Sequence, residues 1–228
     1  MRKILRLIRL VLRDKWIAFK EGSHERLYGV YMFVGEVGEG KTVSMVQHLE
    51  DLRKKDPRIK IYTNFFYQHE SGRIEHWKDM LKVPSYSVIA IDEVQNTFDQ
   101  RSWSSFPPAL VPFLTQNRKF GDREDGRPPG IRLLLTTQDY DNTDVMIRRL
   151  TNYVITCSSY FSGRLIFNRL YKRKVYEMSE QNRKNIRLDW IVGSDDLRNV
   201  YDTYKLLDSL KGYEKDDSKK VRRTSSVS

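Results

Sequence analysis

At 228 residues, of which 39% are hydrophobic, the chain has the length of one α/β domain with additions and enough apolar residues to bury a core. A single cysteine, Cys157, excludes an internal disulfide framework, and four histidines at positions 24, 48, 69 and 76 show no metal-ligand spacing. The net charge of +11 points to anionic partners. It is concentrated: residues 1–20 carry seven Lys or Arg against Asp14, and residues 164–187 carry eight against Glu177 and Glu180.

From Arg2 to Lys20, Ile4, Leu7, Ile8, Val11 and Leu12 form an apolar stripe at helical spacing. Arg2, Arg6, Arg9 and Arg13 fall on other faces, and Trp16 and Phe19 lie toward the end. No apolar run approaches the ~20 residues of a membrane span. There is also no continuous apolar core or small-residue cleavage site of a secretory signal. Three uses stay open for this basic amphipathic helix: packing on the domain, lying in a membrane interface, or touching nucleic acid or a neighbouring subunit. The expected division is residues 1–22 for the helix, 23–212 for the main domain and 213–228 for a polar tail expected to be disordered.

Tyr28 to Val34 reads as a buried strand. Gly35-Glu36-Val37-Gly38-Glu39-Gly40-Lys41-Thr42 then matches the phosphate-loop pattern G-x-x-x-x-G-K-[ST], and Val43, Val46, Leu49 and Leu52 continue at helical spacing. Strand, glycine loop and helix are the setting that pattern requires. Gly35, Gly38 and Gly40 let the backbone close around phosphate oxygens, and the free N–H groups of the helix start favour the anion. In this reading Lys41 reaches the β- and γ-phosphates of ATP and the Thr42 hydroxyl holds Mg²⁺. Glu36 and Glu39 are expected to point outward, leaving the amides to the ligand.

Ile59 to Tyr62 is a second strand and Ile74 to Leu81 a short helix. Ser87 to Glu93 is an apolar strand ending in two acids, the Walker B pattern, in which Asp92 serves the metal and Glu93 polarises the attacking water. Ala109 to Phe120 reads as a helix with Arg118 and Lys119 at its end and Gly121 as its stop. Asp122 to Gly130 is an exposed loop. Ile131 to Thr137 is a buried strand, and Gln138 just beyond it either senses the γ-phosphate or is an ordinary turn residue. Asp144 to Leu150 is a helix carrying Arg148 and Arg149, and Tyr153 to Cys157 a strand. Leu165–Phe167 and Tyr171–Met178 form a basic hairpin, and Asp195 to Leu210 a terminal helix. The fold class is α/β, with a mostly parallel sheet. Cys157 reads as a small buried residue.

The phosphate loop, Tyr62-Thr63-Asn64, Ile91 to Asn96, Arg101, the Arg118-Lys119 pair and Thr136-Thr137-Gln138 occur in one order. Over about residues 28–160 this order resembles the zonular occludens toxin-like viral ATPases of the FtsK–HerA class. The resemblance implies a ring-forming homo-oligomer that moves viral DNA, with Asp92-Glu93 as the acid pair, Gln138 as sensor and an arginine acting on the neighbouring subunit. Arg118 is the first choice for that arginine, with Arg148 and Arg149 next. Filamentous-phage members carry a transmembrane helix after the ATPase domain; its absence here favours a soluble packaging ATPase, cytoplasmic or on the virion. Residues 1–20 could still meet a membrane surface or a capsid vertex protein. Competing readings are a nucleotide-switched, membrane-associated assembly scaffold of the phage extrusion type with little DNA contact, and a small-molecule kinase; a GTPase or an ABC transporter lacks its signature residues.

Overall fold

The computed structural model describes residues 2–21, 27–97, 108–119, 130–141, 143–160, 169–178 and 183–202. Helix α1 (Arg2–Glu21) precedes the domain. Strand β1 (Val30–Val34) leads through the glycine loop into α2 (Lys41–Lys55), whose last turn, Arg53-Lys54-Lys55, complements the helix dipole. There follow β2 (Lys60–Thr63), the short β3 (Phe66–Tyr67) and β4 (Gly72–Arg73), α3 (Trp77–Met80), β5 (Ser87–Ile91), α4 (Val94–Thr97) and α5 (Leu110–Thr115). Strand β6 (Ile131–Thr137), α6 (Val145–Leu150), β7 (Tyr153–Ser159), β8 (Leu170–Met178), β9 (Arg183–Val192), α7 (Asp195–Asn199) and β10 (Tyr201–Asp202) complete the described chain.

The main sheet has the order β4-β2-β5-β6-β1-β7-β8-β9, parallel from β4 to β7 and antiparallel beyond. β10 pairs with β3 in a separate two-stranded ribbon. Every residue of β5 and β6 is buried, as expected of central parallel strands covered on both faces. One core layer joins α2 to Phe33, Val88, Ala90, Leu134 and Ile155; the other joins α3 and α5 to Met32, Ile89, Ile91, Leu133 and Leu135. Cys157 is buried, as the sequence leads one to expect, and that burial pushes its thiol up to about 11. His48 on α2 is held neutral, lowered to about 3 by burial and then by Arg132.

Several expected boundaries move. The helix expected from Ala109 ends at Thr115, because the chain must turn so that the Asn117 carbonyl can accept the N–H of Ile131 at the start of β6 (2.8 Å). The helix expected from Ile74 starts at Trp77: Ile74 instead donates to Thr63 (2.8 Å), and His76 and Asp79 form a reciprocal cap. The terminal helix stops at Asn199, since Tyr201 and Asp202 are drawn into pairing with β3. Gly121, residues 122–129, Arg101, the strand expected at 165–167, the rest of the terminal helix and the polar tail lie outside the described residues. The outer neighbour of β8 is β9 (Arg183–Val192), a strand not among those expected above.

Candidate active site

The glycine loop closes on two devices. Gly40 is left-handed (φ 81°), and a Cβ there would fall 2.2 Å from the Tyr171 ring, so the loop rests directly on β8. The Tyr171 hydroxyl accepts from Arg198 of α7 (3.0 Å), which braces that ring. Gly38 is also left-handed (φ 83°), but a Cβ there would meet nothing within 4 Å. Its glycine is required by conformation and leaves open space above the loop. Gly35 is tight: a Cβ would lie 2.8 Å from the Cys157 carbonyl.

Thr42 and Asp92, fifty positions apart in sequence, meet across the site. The Thr42 hydroxyl donates to the Asp92 carboxylate at 3.1 and 3.2 Å. The Thr136 hydroxyl donates to the same carboxylate at 2.6 Å and accepts from the Glu93 N–H at 2.8 Å. Asn64 clamps the Asp92 peptide from the other side, accepting its N–H (2.7 Å) and donating to its carbonyl (2.9 Å). Burial raises the Asp92 carboxyl above its ordinary range, the Glu93 charge adds to this, and the two threonine hydrogen bonds and Lys41 oppose it. A cation beside Thr42 and Asp92 would relieve that burial cost. Hard oxygen donors of this kind suit Mg²⁺.

Lys41 is buried; its ammonium donates to the Glu36 carbonyl (3.1 Å) and stands 3.9 Å from the Glu93 carboxylate. Glu93 takes a left-handed backbone (φ 52°), a conformation costing a non-glycine residue roughly 1–2 kcal/mol. Its carboxylate accepts from the Gln95 side chain. Glu36 is exposed as expected. Glu39 is not turned away: its carboxylate folds back to accept the Glu36 N–H (2.8 Å) at the loop's start.

The topology places Gln138 just past β6, the strand between β5 and β1, so it stands between the acid pair and the loop with its side chain exposed. Arg118 lies elsewhere. Its guanidinium sits over the Tyr28 ring (5.8 Å from the centroid), before the start of β1. The loop follows the end of β1, roughly 13 Å away along the strand. Arg118 therefore cannot serve its own chain's loop. Arg149 is exposed, and Arg148 reaches Asp141 at 3.4 Å. Asn64 and Thr136, which position the acid pair, carry no role in the sequence beyond their place in the ordered marks.

The basic segment 164–187 is also redistributed. Arg173 is buried and makes a two-pronged pair with Asp189 (2.8 Å for both prongs), with a longer bond to the Ser44 carbonyl (3.5 Å). It packs α2 against the sheet and is not on the surface, so it does not add to the exposed charge expected of the basic hairpin. Arg187 also pairs with Asp189, and Arg169 with Asp195. Lys172 and Lys174 face the other way, in register with Ser158 and Thr156 of β7 and with Trp190 and Leu188 of β9. The Lys172 ammonium lies 5.7 Å from the Trp190 ring centroid, and Tyr160 packs edge-on to Trp190. This face is a basic, aromatic surface on the antiparallel extension.

No protein-family model matches the chain, and no curated protein matches it. Among solved structures it is similar to the N-terminal domain of zonular occludens toxin from Neisseria meningitidis, at 17% identity over 77% of this chain and 100% of that one, with a TM-score of 0.50. It is also similar to the genome packaging NTPase of Sulfolobus turreted icosahedral virus 2 (14% identity, 70% and 97% of the two chains, TM-score 0.47). A third similar structure is the flagellar accessory protein FlaH of Methanocaldococcus jannaschii (9%, 76% and 89%, 0.49). At such identities the likeness concerns the fold, which is the α/β fold of P-loop NTPases: a mostly parallel sheet with the glycine loop at the carboxyl end of β1.

Proposed function

We propose that the chain is a Mg²⁺-dependent ATPase that translocates DNA, of the kind that packages a viral genome or assembles a virion, acting as a ring-forming homo-oligomer. The observation that carries the ATPase reading is the meeting of Thr42 and Asp92 at 3.1 Å beside the loop, with Glu93 3.9 Å from Lys41. Thr42 and Asp92 would hold the metal, which when bound neutralises charge on the phosphates. The Gly38, Gly40 and Lys41 amides and the Lys41 ammonium bind the polyphosphate. Lys41 exchanges its present partners, Glu36 and Glu93, for phosphate oxygens, and that exchange frees the Glu93 carboxylate to take a proton from water. Thr136 holds Glu93 by its N–H and keeps the acid at the end of β5. Gln138 positions that water or senses the γ-phosphate.

Arg118, unable to reach its own loop, is assigned to the neighbour's site. An arginine supplied by a neighbour is worth roughly 10³ or more in rate. Mixing Lys41→Ala with Arg118→Ala subunits should restore part of the turnover that each lacks alone. If the mixture stays inactive, as well as the corresponding mixtures with Arg148→Ala and Arg149→Ala, the assignment fails.

The DNA reading is supported by the Lys172–Lys174 face, where cations stand beside an exposed aromatic pair. Phosphate binding and stacking grip a nucleic acid without reading its sequence. Replacing Lys172 and Lys174 by Ala should flatten the salt dependence of duplex binding, by about 0.9 log units per log unit of salt for each phosphate that is no longer neutralised. Arg173 must be left in place, because it is buried, and its removal takes the two-pronged partner from Asp189 and the contact to the Ser44 carbonyl of α2. A chain lacking residues 1–20 is the control: a slope that survives the lysine changes and collapses on that deletion moves the DNA-binding surface to α1.

A nucleotide-switched assembly scaffold is the second reading, and the exposure of α1 favours it. The experiment that separates the two is steady-state ATP turnover with and without DNA. Stimulation by DNA supports the motor; turnover indifferent to DNA supports the scaffold.

A further inference from the structure

The apolar side of α1 stays outside both core layers of the described residues. Ile4, Leu5, Leu7 and Leu12 are each more than 60% exposed, Ile8 and Val11 are 49% and 44% exposed, and none belongs to either core layer. At 100° per residue, Ile4, Leu7, Ile8, Val11 and Leu12 lie within one arc, and Arg6, Arg9 and Arg13 are gathered on the opposite side. Lys15 alone falls inside the apolar arc, where its long stem can carry the ammonium out to water. The helix is about 30 Å long at 1.5 Å per residue, and no described helix is long and apolar enough to cross a membrane.

We propose that α1 lies flat on an anionic phospholipid bilayer, with Leu7, Ile8, Val11 and neighbours in the acyl boundary and Arg6, Arg9 and Arg13 on the headgroup phosphates. Chemistry selects this occupant over the others. DNA would neutralise the arginines but leave the leucines in water. A second copy of α1 would cover the leucines but leave both sets of arginines facing outward with no anion to neutralise them. An anionic bilayer satisfies both faces at once, the apolar face by insertion and the basic face by charge. The proposal is independent of whether the domain moves DNA.

The test is flotation of the full chain with vesicles of phosphatidylcholine alone and of equal parts phosphatidylcholine and phosphatidylglycerol. The chain should float with the anionic vesicles and stay in solution with the neutral ones. Changing Arg6, Arg9 and Arg13 together to Gln should weaken binding about a hundredfold, the product of three cations near a charged surface. Leu7→Gln with Val11→Gln keeps every charge and should weaken it on the order of tenfold or more. Because neither set lies in the core, the thermal midpoint and ATP binding of both variants should match the parent chain and verify their folding. Equal flotation with neutral vesicles, or undiminished flotation of Leu7→Gln/Val11→Gln, would overturn the proposal. So would a loss of oligomer size or of duplex binding in that variant with flotation intact; these outcomes assign the stripe to a second copy or to DNA.

Discussion

Glu93→Gln should leave ATP bound and slow its hydrolysis by on the order of a hundredfold or more. The amide keeps the size and hydrogen-bonding reach of the carboxylate but cannot take a proton from water. Its backbone should hold, since the left-handed turn at Glu93 is fixed by the Thr136 hydroxyl accepting the main-chain N–H at 2.8 Å, a bond independent of the side chain. Single-turnover phosphate release, measured beside binding of a fluorescent ATP analogue, separates the two quantities. Turnover equal to that of the parent would remove Glu93 from the chemistry and leave the acid pair as a structural end to β5.

Lys41→Ala should act at the earlier step and lower nucleotide affinity by on the order of a hundredfold or more. Two charge-assisted hydrogen bonds to phosphate, at about 1.5–3 kcal/mol each, set that scale. The substitution should do little to the fold. Lys41 is buried, but its ammonium touches only the Glu36 carbonyl and approaches Glu93, and both of those residues have other partners or solvent. Equilibrium titration with the ATP analogue, alongside a thermal midpoint, distinguishes a weakened phosphate site from an unfolded chain. Unimpaired binding would mean that the amides alone hold the phosphates.

The meeting of Thr42 with Asp92 is legible in the sequence because it is written in short, contiguous runs. Gly35 to Thr42 and Asp92-Glu93 each follow a strand, and the order of the two runs is enough to foresee that Thr42 and Asp92 meet. What holds those runs is less visible. Asn64 and Thr136 act through the Asp92 peptide and carboxylate, across strands whose adjacency no local pattern encodes. Tyr171 shows the same limit: in sequence it is one aromatic among several in a basic hairpin, yet it is the surface on which Gly40 rests. Arg173 departs from expectation for a related reason. Charge counted along a strand ignores which face each residue takes, and period-two alternation sends Arg173 inward to Asp189 while Lys172 and Lys174 go outward. The β9 strand does carry a readable alternation, at Ile186, Leu188, Trp190 and Val192, but those side chains are exposed and do not form the core face that such alternation ordinarily marks.

Whether ATP hydrolysis at this site moves the chain along DNA is tested most directly by displacement of a third strand from a triplex placed on a long duplex. The parent chain should release the third strand in the presence of Mg²⁺ and ATP, at a rate that increases with the duplex length available for loading. Glu93→Gln should bind the duplex and release nothing. A parent chain that hydrolyses ATP, binds the same duplex and never displaces the strand would contradict translocation.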